Sequence, residues 1–203
     1  MSGSTIEKAM PRIALTRLAR KALVPLNLSA DAVNAVRDHV NNVLSEVVQK
    51  VIVVAQQSPR KAVSVKELSV IPGVSEVEHE EGVRVPLCAH KVFKVEKNAD
   101  DSADIKQKKH QKKVQEEVKF YSSQGNCHLL PKRAFSSLVK GAVEKHASGK
   151  KLSADAIDVL QSLTENIIQK TLNAAGQVAS VNKKSTIKGD HVNAAVKVMK
   201  LGC

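Results

Sequence analysis

The chain has 203 residues, with 32 Lys and Arg against 20 Asp and Glu, and a formal net charge of +12. A hydrophobic fraction of 42% excludes a disordered basic tail, and the lack of Trp argues against single-strand binding by base stacking. The longest aliphatic run, residues 51–55, is too short to span a membrane, and the first twelve residues lack the apolar stretch of a secretory signal.

Positive charge is concentrated in two blocks that flank a neutral middle. Residues 1–70 carry a net charge of +5, residues 71–130 carry 0, and residues 131–203 carry +7. An excess of this size favours an anionic partner, most simply a nucleic acid. Its division into two blocks predicts two binding surfaces, or two halves of one surface.

The first block predicts a short helix followed by a long one. Apolar residues from Ile13 to Ala22 form one stripe, which ends near Pro25. Residues 30–57 contain no Pro or Gly, and their valines recur every three or four positions. This pattern predicts a helix of roughly 40 Å with Ser29 as its N-cap. A further short helix over 65–70 is cut short by Pro72.

The middle segment has three features of different character. It begins with four acidic residues, Glu76, Glu78, Glu80 and Glu81. Alternating apolar residues over 83–95 then predict short strands or a hairpin. The lysine-rich run 106–113 favours a polar helix that starts near Ser102, either merely solvated or serving as a nucleic-acid contact or localisation signal.

Three cysteines, Cys88, Cys127 and Cys203, make an odd count. An odd count favours unpaired thiols in a reducing compartment over a disulfide framework. The neighbouring His90 and His128 do not complete any standard zinc spacing, so no metal site is predicted.

The last block repeats the first. The sequence Leu-Ser-Ala-Asp-Ala at 28–32 recurs at 152–156, and the apolar positions that follow stay matched for about 40 residues. A short apolar stripe over 135–143 precedes the second long helix, and another short helix is predicted over 190–199. Two long helices that cross would bury both stripes, which predicts an all-α fold.

This architecture resembles the histone fold. Residues 14–21 (Ala-Leu-Thr-Arg-Leu-Ala-Arg-Lys) and 59–63 (Pro-Arg-Lys-Ala-Val) resemble the first helix and second loop of the histone-four class. Residues 135–140 (Phe-Ser-Ser-Leu-Val-Lys) resemble the histone-three class. Residues 183–187 fit the second loop of that class and, equally, that of the B-type second core histone.

The resemblance implies a fused histone doublet, of the kind found in certain large DNA viruses. Its halves would be a histone-four-like fold over 1–70 and a histone-three-like fold over 129–203. Residues 71–128 would be a connecting insert, irregular or partly β. The two folds would form an intramolecular handshake pair, in which the first loop of each half lies beside the second loop of the other.

The resemblance also implies which residues contact DNA. Basic loops and helix ends would bind phosphates without reading bases. The implied contacts are Arg17, Arg20, Lys21, Arg60, Lys61, Arg133, Lys140, Lys150, Lys151, Lys183, Lys184 and Thr186. Arg60 would also pair with Glu67 as a structural clamp. In the second half, His191 stands at the position that corresponds to Glu67. That histidine either makes the region pH-sensitive or is an ordinary surface residue.

The implied function is not enzymatic. The chain would wrap or compact double-stranded DNA in a nucleosome-like particle, together with other histone-fold proteins, and would self-associate through its second half. No cofactor, metal or membrane is expected. A viral protein of this kind would be found in the virion and in the host nucleus or viral factory, and otherwise in chromatin.

Two alternatives stay open. One is a histone-fold scaffold of a transcription or replication complex, which acts through protein contacts. The other is a basic virion-packing protein with no ordered DNA path. No glycine-rich phosphate loop, nucleophile elbow or zinc-protease motif points to an enzyme.

Overall fold

A computed structural model describes residues 3–74, 77, 84–95, 102–147 and 149–201. The N-terminal part begins with helix α1 (Gly3–Ala9). It is followed by α2 (Arg12–Lys21), strand β1 (Asn27–Leu28), the long helix α3 (Ala30–Gln57), β2 (Ala62–Val63) and the one-turn helix α4 (Val65–Leu68).

The C-terminal part repeats this order. Helix α5 (Ala103–Ser122) comes first. It is followed by α6 (Lys132–His146), β3 (Lys151–Leu152), the second long helix α7 (Ala154–Val181), β4 (Thr186–Ile187) and α8 (Gly189–Leu201). The predicted all-α class is therefore confirmed, and the helix predicted from Ser102 onward is confirmed as α5.

Two short parallel strand pairs join the repeats. Strand β1 pairs with β4, so that Leu28 lies opposite Ile187, and β2 pairs with β3, so that Val63 lies opposite Leu152. Each pair therefore combines the first loop of one repeat with the second loop of the other. This is the crossed arrangement that the resemblance implied.

The two long helices begin in the same way and bury matching stripes. The hydroxyls of Ser29 and Ser153 accept hydrogen bonds from the amides of Ala32 (3.3 Å) and Ala156 (3.1 Å), which caps α3 and α7. Val36 and Val51 of α3, like Leu160 and Leu172 of α7, are fully buried in one core. Valine is a mediocre helix former, so α3 depends on this burial.

A buried polar network fixes the entry into α6. The Glu165 carboxylate, on the buried side of α7, accepts hydrogen bonds from the backbone amides of Leu129 (2.9 Å) and Leu130 (2.8 Å). Gln161 donates to the same carboxylate at 3.2 Å. Nearer the start of α7, the fully buried Asp158 forms an ion pair with Lys132 at 2.7 Å. The Glu165 contacts satisfy backbone groups that precede the first turn of α6.

The connector differs from the sequence prediction. Within the described residues 84–95 no hairpin forms, and the one β-bridge joins Leu87 to His128. The backbone hydrogen bonds of this segment thus go to the residues that follow α5 rather than to the segment itself. Val83 and the predicted acidic patch (Glu76, Glu78, Glu80 and Glu81) lie outside the described residues.

The prediction of unpaired thiols is wrong for two cysteines. Cys88 and Cys127 form a disulfide, with their Cα atoms 5.0 Å apart. The β-bridge between the adjacent residues 87 and 128 brings the two sulfurs together, and sequence spacing does not show such a contact. Cys203, which makes the count odd, lies outside the described residues. None of the described helices is long and apolar enough to cross a bilayer.

Asp31 links the two repeats, and this link predicts a pH dependence of stability. Its carboxylate accepts a hydrogen bond from the Gly189 amide at the start of α8 (2.8 Å). Hydrogen bonds from Ser29 and Gly189 hold the pKa of Asp31 below its ordinary value. A carboxylate whose pKa is lower in the folded state stabilises the fold above its unfolded pKa, and this stability is lost as pH falls through the folded pKa.

We therefore expect Asp31→Asn to lower the thermal midpoint at pH 6, and we expect this lowering to become smaller as the pH falls below the ordinary pKa of an aspartate. Thermal unfolding followed by circular dichroism over this pH range would measure the difference. Asp155→Asn, at the equivalent position of the second repeat, is the matched control and should show a smaller pH-dependent difference. If Asp31→Asn lowers the thermal midpoint by the same amount at every pH down to 2.5, the charge of Asp31 does not have this role.

Candidate nucleic-acid interface

A first basic cluster surrounds the β2–β3 pair. The Lys151 amide donates to the Lys61 carbonyl (2.8 Å), and the Lys150 ammonium donates to the carbonyls of Ser58 (2.5 Å) and Arg60 (2.9 Å). Lys140 lines the same surface depression as Lys150 and Lys151. The structure thus brings together five of the predicted residues from both repeats: Arg60, Lys61, Lys140, Lys150 and Lys151.

A second basic cluster surrounds the β1–β4 pair. Thr186 lies opposite Asn27 in the strand register, and Lys183 and Lys184 directly precede β4. Both lysines are exposed, and Thr186 is half-buried. The second cluster, defined as Lys183, Lys184 and Thr186, is the counterpart of the first cluster at the other strand pair.

Arg20 does not belong to either cluster, which corrects the sequence prediction. It is 2% exposed, and its guanidinium donates to the carbonyls of Val24 (2.9 Å) and Leu26 (2.5 Å). It also forms an ion pair with Glu117 of α5 at 3.5 Å. Burial lowers the pKa of Arg20, and the Glu117 carboxylate partly offsets this effect. Its donors are therefore committed inside the protein.

The other residues predicted near the short helices are dispersed. Lys21 is half-buried and donates to the carbonyls of Gly125 (3.1 Å) and Cys127 (3.2 Å), and burial lowers the pKa of its ammonium. Arg17 is half-buried and lies 5.9 Å from the ring centre of Tyr121. Arg133 is exposed in the first turn of α6. Lys21 and Arg17 thus hold α2 against the segment around α5.

The predicted clamp has different partners in the structure. Glu67 accepts hydrogen bonds from the Ser58 hydroxyl and the Ser64 amide (2.8 Å), and these lower its pKa more than the nearby positive charge of Arg60 does. Among the described ion pairs none joins Glu67 to Arg60, which is exposed. The second loop is thus held by serine hydroxyls, which leaves the Arg60 guanidinium available.

His191 is a buried residue rather than a surface histidine. It is 9% exposed, and its ring Nδ1 accepts a hydrogen bond from the Lys188 amide at 3.2 Å. The ring therefore caps the first turn of α8, at the position where the first repeat has the Glu67 carboxylate.

The structure adds α5 to the second cluster. The Asn27 amide lies 3.3 Å from the His110 ring nitrogen, so the middle of α5 lies against β1. Lys106, Lys108 and Lys112 are exposed on this helix, close in sequence to that contact. The lysine-rich run was visible in the sequence, but the contact of its His110 with β1, which pairs with β4 of the second cluster, depends on tertiary packing.

This arrangement suits a polyanion better than a small substrate. The two clusters bring cations from distant parts of the sequence to the two strand pairs, and each pair also carries the start of a long helix. Backbone amides at such helix ends favour phosphate, and the lysines and arginines add charge that displaces counterions. Among the described residues no group of His, Cys, Asp and Glu could hold a metal ion.

Comparison with known proteins agrees with this geometry. Residues 106–198 match the core histone domain, the model shared by the A-type and B-type second core histones and by histones three and four. The crystal structure of the histone from Methanopyrus kandleri is similar over 92% of this chain and 92% of that chain, with 17% sequence identity and a TM-score of 0.51. No curated protein matches the chain. The architecture is thus an all-α histone fold.

Proposed function

We propose that this histone-fold chain binds double-stranded DNA without sequence specificity and wraps it as part of a nucleosome-like particle. One observation carries the proposal: the crossed repeats place a basic cluster at each of the two strand pairs. Two separated clusters on one core can hold a duplex at two points, which a single charged tail cannot do. The protein would act as a structural component and not as an enzyme.

The proposed contacts follow from what the structure leaves accessible. They comprise the first cluster without Lys150, whose ammonium is held by the Ser58 and Arg60 carbonyls, the second cluster, Arg133 at the start of α6, and three exposed lysines of α5. Arg17 and Lys21 would contribute through their charge, at the edge of this surface, and Arg20 is omitted because it is buried. The α5 lysines in this set are Lys106, Lys108 and Lys112.

We further propose that the chain is a fused doublet, with a histone-four-like fold over 1–70, a connecting insert over 71–128 and a histone-three-like fold over 129–203. The match to the core histone domain begins at residue 106 and supports the second fold. Packaging of a viral genome, with the protein in the virion and the viral factory or nucleus, fits the order of the two halves. Chromatin is the corresponding place if the protein is cellular.

Self-association through the second half is part of the proposal. Val181 at the end of α7 is 82% exposed, and Val198 on α8 is 65% exposed. Valines this exposed gain from burial against another apolar surface. A second copy or another histone-fold protein would cover them and bring two pairs of basic clusters into one particle. The same valines favour the alternative function, a scaffold that acts through protein contacts.

Binding to unrelated duplexes separates these functions. Several 30-base-pair duplexes of different sequence would be titrated with the chain at increasing salt, and binding followed by fluorescence anisotropy. The proposal expects similar affinities for all duplexes and a steep fall with salt. Weak binding that hardly depends on salt would favour the protein scaffold, and a strong preference for one sequence would contradict both.

The positive φ at Lys183 allows the stability of the fold to be measured separately from duplex binding. Lys183 and Leu23 have positive φ angles of 52° and 60°, at the ends of α7 and α2. Glycine adopts this conformation without strain, so Lys183→Gly and Leu23→Gly should each raise stability by about 0.5–1 kcal/mol.

Only Lys183→Gly should weaken duplex binding, by about fivefold at 0.15 M salt for one lost phosphate contact. Urea unfolding and anisotropy titrations would measure the two properties on the same samples, with Leu23→Gly as the matched control. If Lys183→Gly binds duplex as tightly as the unchanged protein, Lys183 does not contact DNA.

A further inference from the structure

The Cys88–Cys127 disulfide joins the connector to the chain that follows α5, the first helix of the C-terminal part. The connector residues 84–95, helix α5 and residues 123–128 form one unit, which we refer to as the α5 clamp. Two backbone hydrogen bonds flank the disulfide: Cys88 donates to the His128 carbonyl (2.9 Å), and His128 donates to the Pro86 carbonyl (2.8 Å). The disulfide therefore fastens the connector to the chain just after α5.

Aromatic contacts extend the clamp along α5. The ring centre of Phe93 lies 5.7 Å from that of Phe120 and 6.5 Å from that of Tyr121, and Tyr121 is buried. The Lys91 ammonium lies 5.3 Å from the ring centre of Phe93. The connector thus covers the C-terminal turn of α5, and the disulfide keeps it in place.

The packed face of α5 also contacts residues next to the DNA surface that we propose. Glu117 pairs with the buried Arg20, and His110 contacts Asn27 of β1. The exposed α5 lysines keep their position beside the second cluster only while α5 stays packed on α2. A change in the clamp is therefore expected to reach the duplex-binding surface.

The two cysteines of the disulfide differ in burial. Cys88 is 4% exposed, whereas Cys127 is less buried and lines a cavity of about 230 Å³ together with Lys21 and Glu165. The Lys21 ammonium donates to the Cys127 carbonyl, so the cavity carries one positive and one negative side chain. A small thiolate can therefore reach Cys127 more easily than Cys88, because Cys127 is the less buried of the two.

We propose that the Cys88–Cys127 disulfide is a reversible redox lock that keeps α5 on the duplex-binding surface when oxidised and releases it when reduced by small thiols. This inference rests on the proposed DNA-binding function, since it concerns the regulation of the same surface. An oxidising environment would favour tight binding, and a reducing one would favour release.

The chemistry is ordinary thiol–disulfide exchange. A thiolate attacks the Cys127 sulfur, a mixed disulfide forms, the Cys88–Cys127 bond breaks, and Cys88 leaves as a thiolate that takes up a proton. A second thiolate attacks the small-molecule sulfur of the mixed disulfide and releases Cys127, which is protonated in turn. Two small thiols are oxidised to one disulfide, and the protein disulfide gains two electrons.

The test compares oxidised and reduced full-length chain, with Cys203→Ser in every sample so that only one disulfide can form. Duplex affinity would be measured by anisotropy over a range of salt, and amide hydrogen exchange would be followed in α5 and α7. The reductant is a dithiol. The chain with both Cys88→Ser and Cys127→Ser is the control that cannot form the lock.

We expect reduction to weaken duplex binding by about eightfold near 0.1 M salt and to lower the salt slope by about 0.9, as for one lost phosphate contact. Amide exchange should become faster in α5 and stay unchanged in α7. The double serine variant should behave like the reduced chain and should not respond to the dithiol.

Unchanged α5 exchange and an unchanged salt slope on reduction would overturn the lock, and so would an equal response of the double serine variant to the dithiol. The oxidised and reduced samples carry the same Cys203→Ser change, so their comparison does not depend on the folding of the double serine variant. Failure of the oxidised chain to bind duplex would instead refute the proposed function, while α5 exchange would still report whether the disulfide holds the helix.

Discussion

Removal of four cations from the two second loops is expected to weaken binding to every duplex and to flatten its salt dependence. The residues, replaced together by Ala, are Arg60, Lys61, Lys183 and Lys184. All four are exposed, and they lie in the two basic clusters at opposite strand pairs. At about 0.9 per phosphate contact, the salt slope should fall by up to about 3.6.

This change in slope is large enough to measure. The unchanged protein should bind duplex more tightly than the variant, and the ratio of the two affinities should fall by about a hundredfold between roughly 50 and 200 mM salt. Because the lost contacts are to phosphates, the reduction should be the same for duplexes of different sequence. Anisotropy titrations at four or five salt concentrations would give both slopes.

A control with the same change in net charge separates local contact from overall charge. It replaces four exposed lysines on the helices by Ala: Lys50, Lys170, Lys197 and Lys200. The loop assignment requires a clearly smaller change in slope for this control. An equal change would mean that net charge alone drives binding, and an unchanged slope in the loop variant would mean that these loops do not contact phosphate.

Glu165→Ala is expected to destabilise the fold by about 3–5 kcal/mol, a large part of the stability of a typical domain. The carboxylate is 3% exposed and accepts the amide hydrogen bonds of Leu129 and Leu130, both of which are buried. Alanine would remove the acceptor from these two buried amides, and only water from the cavity that Glu165 also lines could replace it. Urea unfolding followed by circular dichroism would measure the loss.

Two further variants make this result specific. Glu165→Gln keeps one acceptor oxygen and should lose less stability than Glu165→Ala. Glu144→Ala, at an exposed position of α6, should change stability by less than about 0.5 kcal/mol. A loss below about 1 kcal/mol in Glu165→Ala would show that the carboxylate does not fix the entry into α6.

The sequence predicted the repeated framework because short-range patterns determine it. The matched stripes of α3 and α7, the Ser29 cap and the lack of Pro and Gly over residues 30–57 are all local signals. The apolar stripes also predicted that the two long helices cross, whereas the pairing of the loops came from the resemblance to the histone fold. The helix from Ser102 was indicated by its polar composition.

The sequence did not predict which basic residues face inward. Arg20 and Arg17 look alike in the sequence, yet Arg20 is buried by carbonyl groups and Glu117, which lies 97 residues away. The disulfide and the absence of a hairpin over the described residues 84–95 share one cause, which is the contact of the connector with residue 128. Contacts between such distant residues depend on tertiary packing, which a single sequence does not display.

Nuclease digestion of long duplex DNA bound by the chain, alone and with other histone-fold proteins, tests the central proposal most directly. An ordered path over the two basic clusters protects a fixed length of duplex, so we expect discrete protected fragments. Protection without discrete lengths would mean packing by charge alone. No protection at moderate salt would contradict the DNA-binding function and favour a scaffold that acts through protein contacts.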